Sequence, residues 1–324
     1  MKTYDLTVGA PHSGARLDVF LVAAELGLSR RKIRQVIDIG GVYVNRKRVR
    51  VASRQVCRGD KVRVEYSEVT LKKIRAEEPP LTPESLIFEG KGIVAVNKPP
   101  GLPSQATKDQ SVLHVVPSVE ALFKTMGRPR TAFTLVHRLD KETSGVILVA
   151  TSKTRATWLT DQFRERTIKK TYLALCYGLS KEKTFTERAY LSEIDKRTGD
   201  VKVVRAGGRS AVTHFRVLSE NKDLGISLVA CYPETGRSHQ IRVHLQMNGL
   251  PIIGDKRYTA ASRATLPQEL AELASLHHFL HAFALSFPPA EGAEDLQLTA
   301  SLPPRFEAFM KQAGLAVDLS LAHR

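Results

Sequence analysis

The sequence predicts two domains of mixed helix and strand, a small basic module followed by a larger one built on apolar strands. Three observations lead there. The chain has 324 residues, more than one small core usually holds. Its charge is uneven: 49 Lys and Arg against 33 Asp and Glu leave +16. Residues 1–75 hold 17 of those cations but only 7 of the acids, so ten of the sixteen excess charges sit there. Finally, "AEEPPLTPES", 76–85, is acidic and proline-rich, and its prolines block a continuous helix or ladder. These features place one domain over 1–75, a linker over 76–85 and a second domain over 86–324. A 42% share of hydrophobic residues is that of a folded protein. There is no apolar run long enough to span a bilayer. The opening "MKTYDLTVGAPHSG" lacks the apolar core of a signal peptide. The expectation is a cytoplasmic chain with no membrane partner. Cys57, Cys176 and Cys231 are odd in number and form no CxxC, which suggests neither a disulfide framework nor a zinc ribbon.

In the basic module, "ARLDVFLVAAELGL" carries Leu17, Phe20, Leu21, Ala24 and Leu28 at helical spacing. Ser29 can cap a second helix through "RRKIRQVIDIGG", with Ile33, Val36 and Ile37 as its buried stripe. That leaves Arg30, Arg31, Lys32 and Arg34 facing outward, and Gly40-Gly41 end the helix. Alternation then predicts strands in "VYVNRKRVRV", with Arg46, Lys47 and Arg48, and in "KVRVEY". A solvated face would account for scattered cations. So many with so few acids repel one another, and a polyanion relieves that. The order "RLD…SRRKIRQVIDIGGVYVNRKRV…GDKVRV", about residues 14 to 65, resembles the small alpha-L RNA-binding domain shared with a small-subunit ribosomal protein.

The second domain opens with "GIVAVNKPPGLPS", an apolar strand from Ile93 to Val96 and a stiff turn from Asn97 to Gly101. In "LVHRLDKETSGVILVATS", His137 to Gly145 read as a loop and Val146 to Ala150 as a buried strand. Ser152 caps a helix that buries Ala156, Leu159 and Phe163. A buried strand follows from Tyr172 to Tyr177. In "ETGRSHQIRVHLQMNG" Ser238 fits a helix N-cap and Gly249 lies beyond the end, although Ile241, Val243 and Leu245 also alternate like a strand. We read the helix.

Several chemistries lack their marks. His239 and His244 are five apart instead of the four that align ligands on a helix, His277 and His281 have no third ligand nearby, and no HExxH occurs. No metal is expected. There is no phosphate-binding glycine loop and no GxSxG. By elimination the candidate reactive group is Asp140, between Arg138 and Lys141. From this stretch alone, a helix cap or a surface partner for an arginine is the more economical role for it.

"HRLDKETSGVILVA" is similar to the catalytic signature of the RluA-type pseudouridine synthases. "NKPPG", "KKTYLA", "TGRSHQIRVHL", "PIIGD" and "LHAFALSFPP" match further blocks of that family in order, over about residues 84 to 290. The resemblance implies an α+β fold, a mixed and mostly antiparallel sheet with flanking helices and an RNA cleft, with the small α/β basic domain appended. It implies isomerisation of uridine from its N1 to its C5 link, with no cofactor. By the same resemblance Asp140 attacks C1′ or takes a proton from C2′, Arg242 pairs with it, and Tyr172 lies against the base. Arg138 fills the space left when the uridine is flipped out of its stack. Lys141, Thr143 and Ser144 shape the loop or meet phosphate. Ser104-Gln105 and the "GDKRYTA" stretch depart from the family pattern, and both are expected at the pocket rim. The partner implied is RNA, first ribosomal RNA of the large subunit or its precursor particles, then transfer RNA, with the chain acting as a monomer. Two rivals remain: an inactive RNA-binding ribosome-assembly protein, which the presence of Asp140, Tyr172 and Arg242 opposes, and a metal-dependent RNA hydrolase.

Overall fold

A computed structural model describes residues 2–28, 30–38, 40–67, 81–106, 112–128, 132–195, 197–259, 265–287 and 295–322. They fall into two compact units, 1–79 and 80–324. Of the predicted linker, residues 76–80 lie outside the described residues. Leu81 is already in the core of the second unit beside Val94 and Val96, and Pro83–Ser85 form a 3-10 turn with a capping box from Thr82. The second unit therefore begins earlier than residue 86.

In the first unit, β1 (Lys2–Thr7), α1 (Leu17–Ala23), α2 (Arg30–Asp38), β2 (Val42–Val44), β3 (Lys47–Val49) and β4 (Lys61–Tyr66) follow in order. The strands make an antiparallel sheet ordered β1-β4-β2-β3. The predicted stripes meet there: Leu17, Phe20 and Leu21 of α1 pack with Ile33, Val36 and Ile37 of α2 on Val42, Val44, Val62 and Val64. "VYVNRKRVRV" is a hairpin. Asn45 and Arg46 have φ of 50° and 66°, the positive pair that a two-residue turn needs to match strand twist. This leaves Arg46, Lys47 and Arg48 exposed at the tip. The Ser29 cap and the side chain of Arg31 lie outside the described residues.

Not every outward cation is spare. Asp18 is fully buried at 0% exposure. It accepts from Arg16 Nε at 2.9 Å and from Arg34 Nη2 at 2.8 Å, with Arg30 Nη2 at 3.7 Å. Burial alone would raise its carboxyl pKa, but the hydrogen bonds from Arg16 and Arg34 outweigh that and hold it below the usual range. Asp18 thus joins the start of α1 to α2 and fixes where those guanidinium groups stand. Asp18→Asn is expected to cost this unit about 1–3 kcal/mol, read as a lower urea midpoint. The depressed carboxyl contributes its stability in full above about pH 4 and loses it as pH falls through the lowered value. The gap between variant and parent should therefore close in acid.

The second unit contains β5 (Leu86–Gly90), β6 (Ile93–Lys98), α3 (Val115–Thr125), β7 (Thr134–Leu135), β8 (Ser144–Ala150), α4 (Lys153–Glu165), β9 (Lys169–Tyr177) and β10 (Thr184–Leu191). It continues with β11 (Arg209–Asn221), β12 (Ile226–Pro233), α5 (Gln240–Met247), α6 (Gln268–Ala274), β13 (Leu280–Phe287), β14 (Leu296–Thr299) and α7 (Pro304–Gln312). Eight strands form the path β10-β11-β12-β9-β13-β8-β6-β5, with β14 beside β13 and β7 beside β8. Among the described residues every pairing is antiparallel except one, in which His281 and Ala282 of β13 meet Ser144 and Gly145 of β8 in parallel. Two antiparallel half-sheets are thus joined by a seam two residues wide.

The run "SGVILVA" is buried throughout, and apolar from Val146 to Ala150, because both faces of β8 are covered. Ile147 and Val149, with Val94 and Val96 of β6, face Val119, Leu122 and Phe123 of α3. Val146 and Leu148, with Ile93 and Ala95, face Leu159 of α4. Ser152 caps α4 through Arg155 N at 3.2 Å, as its position predicts. On the other half-sheet, Ile241 and Leu245 of α5, Leu270 of α6 and Phe306 and Phe309 of α7 cover β9, β12 and β13. Ser238 is not the cap of α5. The helix starts one residue later, after His239 in the left-handed region, and no side chain caps it.

Candidate active site

Asp140 lies in the loop that leads into β8, directly before the seam. Its backbone is held from several sides. Ser104 Oγ accepts from Leu139 N at 3.0 Å and donates to Leu139 O at 2.7 Å. Gly101 N and Lys98 Nζ both donate to Lys141 O, at 2.9 and 3.1 Å. The Lys98 ammonium also reaches Pro99 O and Leu102 O, at 3.0 and 2.8 Å, so its three donors meet three carbonyls. Lys98 is the last residue of β6, inside the strand and fully buried. Desolvation pulls its pKa down to about 7, with Glu142 and Asp140 opposing the shift. Ser104 is buried too, so this departure from the family pattern secures the loop and does not sit on the rim.

On the far side of Asp140, Thr143 hydrogen-bonds His278 Nε2 at 2.9 Å, and His277 pairs with Glu142. His281 Nε2 donates to Ala300 O at 3.3 Å, so its Nδ1 accepts from Ser144 Oγ at 2.9 Å. Thr143 and Ser144 therefore shape the loop, and the side chain of Lys141 is exposed. Gly145 has φ +112°, and a Cβ there would lie 2.1 Å from Ala282 O. Only glycine lets the strands touch at the seam.

Across the seam, β9 supplies Tyr172 and α5 supplies Arg242. Arg242 Nη1 donates to Asp140 Oδ2 at 3.0 Å. Its stronger partner was not legible in the sequence: Asp255 takes Nε at 2.7 Å and Nη2 at 2.9 Å as a fork. The guanidinium lies 4.8 Å from the Tyr258 ring centroid. Asp255 side-chain exposure is 0% and that of Arg242 is 7%, against 21% for Asp140. Burial would raise the pKa of Asp140, but the charges of the His239 ring, once acid protonates it, and of Arg242 overcome it and keep the carboxyl below its usual range. Among the described residues no donor reaches Asp140 Oδ1. Burial and the nearby Asp140 charge push the Tyr172 phenol well above its ordinary pKa, so it stays protonated.

These groups line a cleft of about 260 Å³. Arg138, Asp140, Thr143, Lys170, Tyr172 and Arg242 are in its wall, with Pro233 and the stretch from Thr235 to Ile241 lining it from the β12–α5 turn. Arg138 is exposed there. The three residues that the resemblance makes catalytic, Asp140, Tyr172 and Arg242, thus share one cleft, although 102 positions separate the first from the last. Arg30, Lys32, Arg34, Arg46, Lys47 and Arg48 belong to the first unit, where all are exposed. Sequence reasoning missed Asp255, Lys98 and His239 as parts of the site. Their signal lay in the same blocks, "PIIGD", "NKPPG" and "SHQIR". Among the described residues no group of His, Cys, Asp and Glu is arranged to hold a metal ion.

Two family profiles match the chain, RNA pseudouridylate synthase over residues 92–247 and the S4 domain over 15–62. The chain is similar to the ribosomal large subunit pseudouridine synthase C of Haemophilus influenzae, 31% identical over 320 residues covering 95% of this chain and 94% of the relative. The protein of the same name from Salmonella typhimurium is 33% identical over 307 residues, covering 92% of each. Among solved structures, human RNA pseudouridylate synthase domain containing 4 aligns with a TM-score of 0.59 at 28% identity, covering 76% of this chain and 96% of that one.

Proposed function

The chain belongs to the RNA pseudouridylate synthase family and is an RNA pseudouridine synthase; from that premise we propose that it isomerises uridines of large-subunit ribosomal RNA, with Asp140 as the reacting carboxylate. The observation that carries the residue assignment is the ion pair across the seam. Arg242 occupies Oδ2 and keeps the carboxyl ionised, while Asp140 and Tyr172 line the same cleft. An ionised carboxylate held there can attack C1′ or remove the proton at C2′. On either route the C1′–N1 bond breaks with its pair passing to the base, the uracil turns, C1′ rejoins through C5, the C5 proton leaves and N1 takes one up; on the second route the C2′ proton is returned as the new bond forms. Nothing is oxidised or reduced, so the reaction calls for no cofactor.

A uridine in folded RNA must first leave its stack, at a cost of a few kcal/mol. Arg138, exposed in the cleft wall, fits the vacated space with a planar guanidinium that can bond the bases left behind. Tyr172 stacks on the extruded base. Support for a ribosomal substrate comes from relatives that match along nine-tenths of both chains and carry large-subunit names, and from the S4 domain with its exposed cations. The enzyme works in the cytoplasm as a monomer.

Mapping pseudouridine in RNA from cells with and without the gene tests the substrate. One or a few large-subunit positions should revert to uridine; reversion in transfer RNA alone would overturn the ribosomal reading. The share of each unit is tested by removing residues 1–79. Every phosphate that the shortened chain no longer neutralises should flatten the slope of log K against log[salt] by ~0.7 to 0.9, while turnover at saturating RNA persists. An unchanged slope would show that the basic face never meets phosphate.

A further inference from the structure

His239 enters α5 with φ 55°, in the left-handed region that non-glycine residues seldom occupy. Its side chain caps nothing. The conformation instead places the ring in the cleft wall, with Nε2 3.8 Å from Asp140 Oδ2 and Nδ1 2.7 Å from the Tyr258 hydroxyl. That hydroxyl already accepts the backbone N–H of Val201 at 2.8 Å. Among the described residues its own proton has one acceptor, His239 Nδ1. The hydrogen-bond chain Val201 N–H to Tyr258 O–H to His239 Nδ1 thus fixes the tautomer, and Nε2 carries the hydrogen that faces the cleft. Burial lowers the ring's pKa and the Arg242 charge adds to this, Asp140 opposing, so the imidazole is neutral at pH 7.

We propose that His239 is a further catalytic residue, whose Nε2–H donates to the O2 oxygen of the departing uracil as the C1′–N1 bond breaks. The inference rests on the reading that Asp140 reacts at the sugar. O2 sits on the ring carbon next to N1 and so beside C1′, where a donor 3.8 Å from the carboxylate can meet it. The bonding pair of C1′–N1 passes to the base and spreads onto O2, making a uracil anion whose C5 must then attack C1′. A charged imidazolium would protonate that anion and quench its carbon nucleophile. A neutral imidazole N–H is too weak an acid to do so, yet it holds the charge by a hydrogen bond in a partly dry site.

The test compares His239→Ala and His239→Asn with the full-length parent, since asparagine suits the left-handed backbone if alanine fails to fold. Consumption of the target nucleoside is followed in single turnovers at saturating RNA carrying either uridine or 5-fluorouridine at that site. Fluorine withdraws charge from the ring and makes the base a better leaving group. With uridine the variants should lose about 100-fold in rate at unchanged RNA affinity. With 5-fluorouridine the loss should be at least threefold smaller. Tyr258→Phe, which frees the tautomer, should show the same pattern in milder form. Equal losses on both nucleosides, a loss below tenfold on uridine, or a loss confined to affinity each overturn the proposal. Asp140→Asn is run in parallel: activity surviving there refutes the reading of Asp140, whereas a dead Asp140→Asn beside active His239 variants refutes only the role of His239.

Discussion

Asp140→Asn is expected to lose isomerisation by at least about 10³-fold in a single turnover, because an amide neither attacks C1′ nor accepts the C2′ proton. Fold and RNA affinity should survive. The reason lies in how Arg242 is held: the Asp255 fork takes Nε and Nη2, so losing the charge at Nη1 leaves the guanidinium paired and in place. Melting temperature and filter-binding affinity near those of the parent, with no pseudouridine formed, would confirm that the substitution removes chemistry alone. Activity within tenfold of the parent would sink the assignment.

Arg242→Met should be the more damaging change overall, since it strands two carboxylates. Asp255, with no exposed side-chain surface, becomes a buried charge without a partner, which costs about 3–5 kcal/mol. Asp140 loses the cation that holds it ionised, so its pKa rises and the rate falls by two orders of magnitude or so, at about 1.4 kcal/mol per tenfold. In the parent both carboxyls sit below their usual range, and their stabilising effect is present above about pH 4 and fades as pH falls through the lowered values. In the variant both are raised instead. It should be least stable relative to the parent at neutral pH and recover as acid neutralises Asp255, while its activity drops further in the same direction. Adding Asp255→Asn should restore part of the stability and none of the rate. A pH-rate profile matching the parent in shape and height would show that the ion pair plays no part.

Much of this was readable in the sequence, for reasons that differ between elements. The stripe of α2 fell where its spacing put it, and so did Leu17, Phe20 and Leu21 of α1, but that helix ends at Ala23 and leaves Leu28 beyond it, after the left-handed Glu25 and Gly27. The run Val146 to Ala150 could be read as a buried strand because apolar residues on both faces leave no alternation. The start of α5 could not be placed well. Ile241, Val243 and Leu245 satisfy a strand and a helix alike, and the entry is set by the conformation of His239, which no capping residue announces. Strands β10 to β12 escaped because the sequence between 180 and 235 offers no block of distinctive chemistry, although "ISLVACYP" is buried along its whole length. At the site, Asp140, Tyr172 and Arg242 were named from motifs, and their pairing was implied by resemblance. What no motif conveys is that Arg242 serves Asp255 first and Asp140 second. That ranking is tertiary. It depends on a fork geometry between residues 13 positions apart and an ion pair between residues 102 apart. Likewise Ser104 read as a rim position from its loop, whereas the fold buries it against Leu139.

The narrow seam has a consequence for the newly made chain. Asp140 is carried by one half-sheet, while Arg242 and Tyr172 come with the other, and the strand that joins the halves, β13, is among the last to be synthesised. At roughly 5–20 residues per second, the ribosome completes Asp140 some 5–20 s before Arg242, given the 102 positions between them. During that interval the carboxylate has no counter-ion, its loop lacks His278 and His281, and β8 has no parallel neighbour. The ion pair between Asp140 and Arg242 is therefore a property of the finished chain, whereas the strands and helices of the basic first unit are all synthesised before Asp140.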